Sequence, residues 1–544
     1  MYRKNSAEIY CLYANQKQID DLSYIFEKNS FRKIEIEDVD SEIKNFIVIC
    51  LEKRNCEIEN ILTEHNLTKG VDFDYVFNFA KELNYLYTME TKRKIAFWGA
   101  GDVGKKCLQE FTEGIYSGLH VDKIIDNNAL NIKIQGGVEV IHPSMIVDWK
   151  DYYIILTVNE VYDEIESQLN KLGLMREHDY IGYKTAMRDV GKLFLKTFFE
   201  NHYSNQICYR PFGFTDVIAD EVLCCCPIAM DYLSLGNLRE LSFRSVWHSM
   251  VAKIIRLSIL NGTYSFCTLE VCDKNIEFTT NKSYNGLKKI KTEDLPQDIM
   301  LGVDNTCNLS CPSCRKCVTA LPIEILNKRR KIVDEVLDEI QDVERIWLAG
   351  DGEVFASQLY RETLLDERVR KRKRISILSN GTLFSKANFE KYLSNFQEIE
   401  VTLSIDGATK NTIETLRRGT DFEVLKKNFE FVGMLRENNV IQKLQVNFVL
   451  QSANIAELKE MISWCRANHV DVLRLLKLVD YHLYSEEEFD EMSIIDKDDQ
   501  IKAEYWKYLG DEILNDTLID WSTLIKYVPV SRKMSLFNEK YSLI

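Results

Sequence analysis

From residue 298 onward the chain alternates short apolar runs with amphipathic stretches. IMLGVD (299–304), ERIWLA (344–349), ISILS (375–379), IEVTLSI (399–405), LQVNFVL (444–450) and DVLRLL (471–476) are each of strand length. Between them the apolar positions recur at helical spacing, as over 422–437 and 455–468. Six such β/α repeats in fewer than 200 residues predict a parallel sheet, and the chemistry of such sheets sits at the carboxyl ends of the strands. The amino-terminal part has the same rhythm in a second form. The apolar strand and amphipathic helix of NFIVICLEKRNCEIENILTEHNLTKGVDF (45–73) recur 107 residues later in YYIILTVNEVYDEIESQLNKLGLMREHDYI (152–181), with Leu62 against Leu169, Leu67 against Leu174 and Asp72 against Asp179. Two related α/β units therefore open the chain.

The second unit has a turn that the first lacks. KIAFW (94–98) leads into Gly99-Ala-Gly101-Asp-Val-Gly104 and a helical run, then VDKIID ending at Asp126. Strand, G-x-G-x-x-G turn, helix, strand and acid in that order describe a Rossmann-like unit. Gly99, Gly101 and Gly104 would let a phosphate approach the backbone, and Asp126 would meet a ribose. A nucleotide or nucleotide-sugar ligand is the expectation, against a scaffold whose turn is merely tight. An NAD-dependent dehydrogenase is a further alternative, but no acid–base pair beside the turn supports it.

Composition narrows the classes. With 69 Lys and Arg against 84 Asp and Glu, the net charge of −15 gives no electrostatic drive toward nucleic acid or anionic membrane. No apolar run reaches the roughly 18 residues that span a bilayer, and MYRKNSAEIY lacks the apolar core of a secretory signal. A cytoplasmic protein without nucleic-acid or membrane partners is the expectation. The basic run RVRKRKR (368–374) reads as the solvated end of a helix.

Ten of the 15 cysteines fall between residues 208 and 317. In a reducing compartment such a concentration points to metal rather than disulfides. Cys11, Cys50, Cys56, Cys107 and Cys465 stand apart and read as small core residues. Directly after the first strand of the β/α array comes Cys307-Asn-Leu-Ser-Cys311-Pro-Ser-Cys314. Three thiolates on one short loop suit a [4Fe-4S] cube with one iron left open. The alternative is a structural zinc held by Cys307, Cys311, Cys314 and Cys317.

The triad and the motifs at later strand ends resemble the radical SAM superfamily. The resemblance implies a partial (β/α)6 TIM-type barrel over 298–480, a [4Fe-4S] cluster on Cys307, Cys311 and Cys314, and S-adenosylmethionine (SAM) on its open iron. It places the methionine amino group at Gly350, Gly352 and Glu353, and the ribose and carboxylate near Ser379, Asn380, Ser404 and Asp406. Arg417, in preference to Arg418, meets the methionine carboxylate. Two departures stand out: Val354 where the family commonly has Pro, and Ser313 where an aromatic often packs on adenine, which shifts adenine toward the backbone near Val449 and Leu450.

Upstream, Cys208, Cys224-Cys-Cys226, LGNL (235–238), SVWHS (245–249) and Cys267-x4-Cys272 follow the order of a SPASM-type auxiliary-cluster module, here ahead of the barrel instead of behind it. The resemblance implies a second [4Fe-4S] cluster, for which Cys208, Cys225, Cys267 and Cys272 are the favoured ligands and Cys226 the substitute for Cys225. The organisation expected is an α/β unit at 1–92, a Rossmann-like domain at 93–184, a small cysteine-rich domain at 185–290, the barrel, and a helical tail at 481–544. The implied activity is reductive cleavage of SAM to a 5′-deoxyadenosyl radical, which takes hydrogen from a substrate. An external one-electron donor such as flavodoxin or ferredoxin is the implied partner. Oxidation or crosslink formation by way of the second cluster, and epimerisation with Cys317 as hydrogen donor, all stay open. A sugar or nucleotide-sugar substrate is suggested by the Rossmann-like unit, a peptide substrate by the SPASM-like order. A non-catalytic iron–sulfur protein is the alternative of another class.

Overall fold

A computed structural model describes residues 8–27, 29–39, 46–51, 55–69, 72–88, 93–117, 119–129, 134–159, 161–201, 208–268, 272, 295–348, 350, 352–481 and 483–527. Parts of the repeat (45, 52–54, 70–71 and 160), most of the stretch after Cys267, Ala349 of the second barrel strand, Asp351 and tail residues 528–544 lie outside them. The chain forms two compact units. One comprises 1–207, 234–266 and 280–292, and the other comprises 208–233, 267–279 and 293–544. The cysteine-rich stretch expected as one domain is thus divided, its cysteines going with the barrel strands and its LGNL and SVWHS segments with the amino-terminal unit.

The amino-terminal unit holds two sheets. In the first, β1 (Glu8–Leu12), β2 (Ser30–Ile34), β3 (Phe46–Ile49) and β4 (Phe73–Tyr75) run parallel in the order β2-β1-β3-β4. In the second, β5 (Lys94–Trp98), β6 (Val121–Ile125), β7 (Ile134–Gln135), β8 (Val138–Ile141), β9 (Tyr152–Leu156) and β10 (Tyr180–Gly182) lie in the order β10-β9-β5-β6-β8-β7, parallel except for the β7–β8 hairpin. A two-residue strand, β13 (Gly236–Asn237), belongs to the same unit.

The 107-residue echo has a packing cause. Ile47, Ile49, Ile58, Leu62, Leu67 and Phe73 form the core of the first sheet, and Ile154, Leu156, Ile165, Leu169, Leu174 and Tyr180, each 107 residues on, form that of the second. Even the loop lock recurs. Asp72 Oδ2 accepts the Thr68 N–H at 2.8 Å, and Asp179 Oδ2 accepts the Met175 N–H at 2.8 Å. Buried strands of a parallel sheet need apolar residues on both faces, so the same strand–helix–strand solution leaves the same mark twice.

The other unit is built on one long sheet. β11 (Phe214–Ile218) forms an antiparallel hairpin with β12 (Glu221–Leu223) and pairs in parallel with β14 (Asp298–Gly302). Then β15 (Arg345–Leu348), β16 (Arg374–Ser379), β17 (Glu398–Ser404), β18 (Lys443–Leu450) and β19 (Val472–Lys477) follow side by side, all parallel. The six expected strands are therefore β14 to β19, each within a residue or two of its expected bounds. Helices Phe422–Glu437 and Leu458–Ala467 lie where the spacing put them. The sheet is an open partial barrel among the described residues. β20 (Ile519–Asp520) adds a parallel strand beside β19, so the tail is not helical throughout.

One face of these strands carries polar residues. Asp298, Arg345, Arg374 and Glu398 are register neighbours on four successive strands. Arg345 grips Asp298 with two nitrogens, at 2.9 and 2.7 Å, and Glu400 with a third at 2.9 Å. This fork geometry is available to Arg alone among the side chains. The basic run is likewise committed rather than merely solvated: Arg368 meets Asp334, Asp338 and Asp366, and Arg374 meets Glu398. The starts of the strands are thus tied together by ion pairs. Their opposite ends carry the motifs. No helix among the described residues is long and apolar enough to cross a membrane.

Candidate functional site

The cysteine loop begins where β14 ends. Asp304 is buried and holds its base: one carboxylate oxygen accepts the Thr306 N–H at 2.7 Å, the other the Ser357 hydroxyl at 2.6 Å. Its own N–H bonds the Tyr360 hydroxyl at 3.2 Å. A bridge between Cys307 and Thr319 closes the loop, N to O at 2.9 Å and back at 3.3 Å. The Cys314 and Arg315 N–H groups both turn onto the Cys311 carbonyl, at 2.9 and 3.0 Å. Ser310 N–H reaches the Arg418 carbonyl at 3.0 Å, which ties the loop to the segment beyond β17.

Cys307 and Cys311 are buried, whereas Cys314 and Cys317 are exposed. Burial pushes the Cys311 thiol up from its usual range and Arg417 pulls it back, while Asp406, Cys314 and Cys307 push it further up. The three cysteines of the spacing motif thus share one electrostatic neighbourhood with Arg417. Among the described residues no three His, Cys, Asp or Glu side chains gather as a single ion would require. A cube asks for something else, since each thiolate binds a different iron.

The ends of β15 and β16 press on this loop. Gly350 has φ +138°, and a Cβ there would come within 2.9 Å of Gly302 Cα. At Gly352 a Cβ would stand 2.4 Å from the Asp304 carbonyl oxygen and 2.8 Å from that of Thr306. These glycines bring backbone onto backbone beside the triad, an approach that a side chain would block. Gly352→Ala is expected to lose about 2 kcal/mol of stability by overpacking, read by chemical denaturation. The Glu353 N–H donates to the Thr306 carbonyl at 2.7 Å.

Glu353 is almost wholly buried, and it works as a hub. Its carboxylate accepts the Ser379 hydroxyl at 2.8 Å, the Asn380 N–H at 2.6 Å and the Phe355 N–H at 3.3 Å. Burial raises its pKa, outweighing those donors and Arg417. Asn380 in turn places Nδ2 3.0 Å from Asn308 Oδ1 and 3.8 Å from Cys307 Sγ, and accepts from Thr382 through Oδ1. Ser379, Asn380 and Glu353 therefore form one network against the triad.

β17 ends in Ser404, half-buried beside Asn447 in the β18 register, and Asp406 follows. Asp406 accepts the Val449 N–H at 2.8 Å and pairs with Arg417, Nε to Oδ2, at 2.6 Å. Asn454 Nδ2 bonds the Val449 carbonyl at 2.8 Å and the Asp406 carbonyl at 3.1 Å. Both backbone groups of Val449 are thus engaged, by Asp406 and by Asn454. Arg417, not the exposed Arg418, faces the cysteines.

Some contributors had no signal in the sequence. Glu457 accepts the N–H groups of Ala408 and Thr409 and the Thr409 hydroxyl, and so organises the turn after β17. Tyr360, Ser357 and Asn454 are likewise structural partners drawn from distant positions. Only pairing across strands reveals them.

The other cysteines flank the β11–β12 hairpin. Cys224 and Cys225 are buried, and Cys208, Cys226, Cys267 and Cys272 half-buried. Burial raises the Cys225 thiol, Arg210 lowers it, and Cys224, Cys208 and Cys272 raise it further. Cys208, Cys225 and Cys272 are therefore neighbours, with Cys224 beside them. Cys224 Sγ also lies 4.0 Å from Met230 Sδ. Cys267 precedes Thr268, whose N–H bonds the Ala229 carbonyl at 2.8 Å.

In the second sheet of the amino-terminal unit the glycine turn follows β5, which lies between β9 and β6. Gly99 has φ +124°, and a Cβ would meet Val158 at 2.6 Å. A Cβ at Gly104 would lie 2.1 Å from the Gly99 carbonyl oxygen, while Gly101 has open space. Asp126 accepts the Ala100 N–H and the Asn128 N–H, both at 2.8 Å. Gly99, Gly104 and Asp126 thus serve the turn itself.

The fold and site define an open parallel α/β sheet with three cysteines on the loop after its first β/α strand. No protein-family model matches the chain, and no curated protein does. Solved structures resemble part of it. Streptococcus suis SuiB bound to the precursor peptide SuiA matches at 17% identity over 44% of this chain and 54% of its own, with a TM-score of 0.30. Native anSMEcpe with bound AdoMet matches at 23% identity over 37% of this chain and 56% of its own, TM-score 0.29. TYW1 with a lysine–pyruvate adduct matches at 14% identity over 36% and 74%, TM-score 0.24. The matched part spans about half the length of SuiB and of anSMEcpe.

Proposed function

We propose that the protein is a radical SAM enzyme. The observation that carries this reading is the closed loop of Cys307, Cys311 and Cys314, with Glu353 and Asn380 from the segments after β15 and β16, and Arg417 from the end of the helix Lys410–Leu416, converging on it. Cys307, Cys311 and Cys314 would hold a [4Fe-4S] cluster, and the backbone of Gly350 and Gly352 would receive the amino group of SAM. Arg417 would offer its charge to the methionine carboxylate, and Ser404 lies at the strand end where a ribose would rest. With SAM bound, a reduced cluster there would supply radical chemistry able to take hydrogen from an unactivated carbon.

The protein's part is positioning. Glu353 holds the ends of β15 and β16 together, so that the glycine backbone and Asn380 keep fixed places beside Cys307. Asp406 orients Arg417 and joins the ends of β17 and β18. Cys208, Cys225 and Cys272, with Cys224 or Cys267 as the fourth ligand, would hold a second cluster.

For the substrate we favour a peptide over a nucleotide-sugar. The acid that would grip a ribose already accepts two N–H groups of its own turn, and two of the three glycines are required by packing. The test is anaerobic turnover with SAM and dithionite, following deuterium into 5′-deoxyadenosine from labelled peptides and from labelled nucleotide-sugars. Transfer from peptide supports this reading, and transfer from sugar alone reverses the substrate choice. Failure to form 5′-deoxyadenosine under any condition leaves an iron–sulfur protein without SAM chemistry.

A further inference from the structure

We propose that Arg315 is a positioning residue that sets how readily the triad accepts an electron, by donating an N–H to the Cys314 sulfur from a guanidinium anchored on the Asn305 carbonyl. The inference rests on the reading that Cys307, Cys311 and Cys314 hold a [4Fe-4S] cluster. Nη2 of Arg315 lies 3.4 Å from Cys314 Sγ, and Nη1 lies 2.8 Å from the Asn305 oxygen. A planar guanidinium held by one nitrogen has little freedom to turn the other away. Asn305 itself stands between Asp304 and Thr306, the residues whose lock sets the base of the loop, so the anchor is part of the framework that positions the triad.

Charge sets the direction of the effect. A 2+ cube with three thiolates carries a net −1, and after one electron enters the 1+ cube carries −2. The electron comes from a one-electron donor of the flavin or iron–sulfur class, which is oxidised by one electron, and no bond forms or breaks in that step. A cation that hydrogen-bonds a ligand sulfur favours the more negative state and so raises the potential. The three sulfurs differ in what faces them. Cys307 has the neutral Asn380 amide at 3.8 Å, and the charge of Arg417, shared with Asp406, acts on Cys311 and on Cys314 electrostatically. Cys314 is the most exposed of the three, and among the described residues a guanidinium is bonded directly to its sulfur.

The test is an EPR-monitored redox titration of the full-length, anaerobically reconstituted protein without SAM. The triad's signal is identified by its loss in the Cys307→Ala/Cys311→Ala/Cys314→Ala variant. Arg315→Gln is expected to shift the midpoint to lower potential, and Arg315→Lys, which keeps the charge but not the two-point hold, to fall between Gln and wild type. Should Arg315→Gln not retain iron, Arg315→Lys alone decides, a midpoint below wild type supporting the proposal. Wild-type midpoints in the variants that load iron overturn it while leaving the radical SAM reading intact. Absence of iron from the triad of the wild-type protein overturns both.

Discussion

Arg417→Leu is expected to cost the protein about 3 to 5 kcal/mol of stability and to abolish SAM binding. Asp406 is buried with Arg417 as its cationic partner at 2.6 Å, and the pair sits at the joint of β17 and β18. Removing the guanidinium leaves a desolvated carboxylate with the Val449 N–H as donor but no opposing charge from Arg417, and an uncompensated buried charge is far more costly than a missing surface ion pair. The double variant Arg417→Leu/Asp406→Asn separates the two consequences. Deleting the opposing charge is expected to restore much of the stability, measured by denaturant unfolding, but not SAM binding, measured by calorimetry. If Arg417→Leu alone unfolds at the wild-type midpoint, the pair is not the joint described here.

Glu353→Ala is expected to have an effect of similar size, about 3 kcal/mol, because it strands the Asn380 N–H and the Ser379 hydroxyl in a buried place. It should also release the end of β16 from that of β15, so that loss of SAM cleavage accompanies the loss of stability. The pH dependence has a definite sign. Burial raises the Glu353 pKa above its unfolded value of about 4.5, so its contribution is fully present below that pH and is lost as pH rises through the folded value. Glu353→Gln removes this component. Unfolding free energies across the acid range should therefore fall with pH less steeply in the Glu353→Gln variant than in the wild-type protein. Parallel curves would contradict the raised pKa.

The strands of the barrel were legible because each is an apolar run with buried alternate positions, and β14 to β19 lie within a residue or two of where those runs placed them. The repeat was legible for the same reason, since Ile47 and Ile154 answer to one packing demand. The triad was marked by its local spacing, and the glycines after β15 by their resemblance to a known motif. The polar partners were not. Glu457 reaches Ala408 and Thr409 across about fifty residues, and Tyr360 meets Asp304 across a similar distance, with nothing local to mark either. Nor could consecutive cysteines be ranked from their order alone, whereas burial separates Cys224 and Cys225 from Cys226. The division of 185–290 between two units was hidden because the chain leaves the barrel unit after Leu233 and rejoins it at Cys267. A reading along the chain treats that excursion as one domain.

In the proposed function Cys307, Cys311 and Cys314 hold iron with an open coordination site for SAM. Mössbauer and EPR spectra of the anaerobically reconstituted protein, with and without SAM, test it most directly when compared with the Cys307→Ala/Cys311→Ala/Cys314→Ala variant. A [4Fe-4S] spectrum whose signal changes on adding SAM and disappears in the variant is the expected result. Zinc bound to these three cysteines in place of iron, or a cluster spectrum indifferent to SAM, would contradict it.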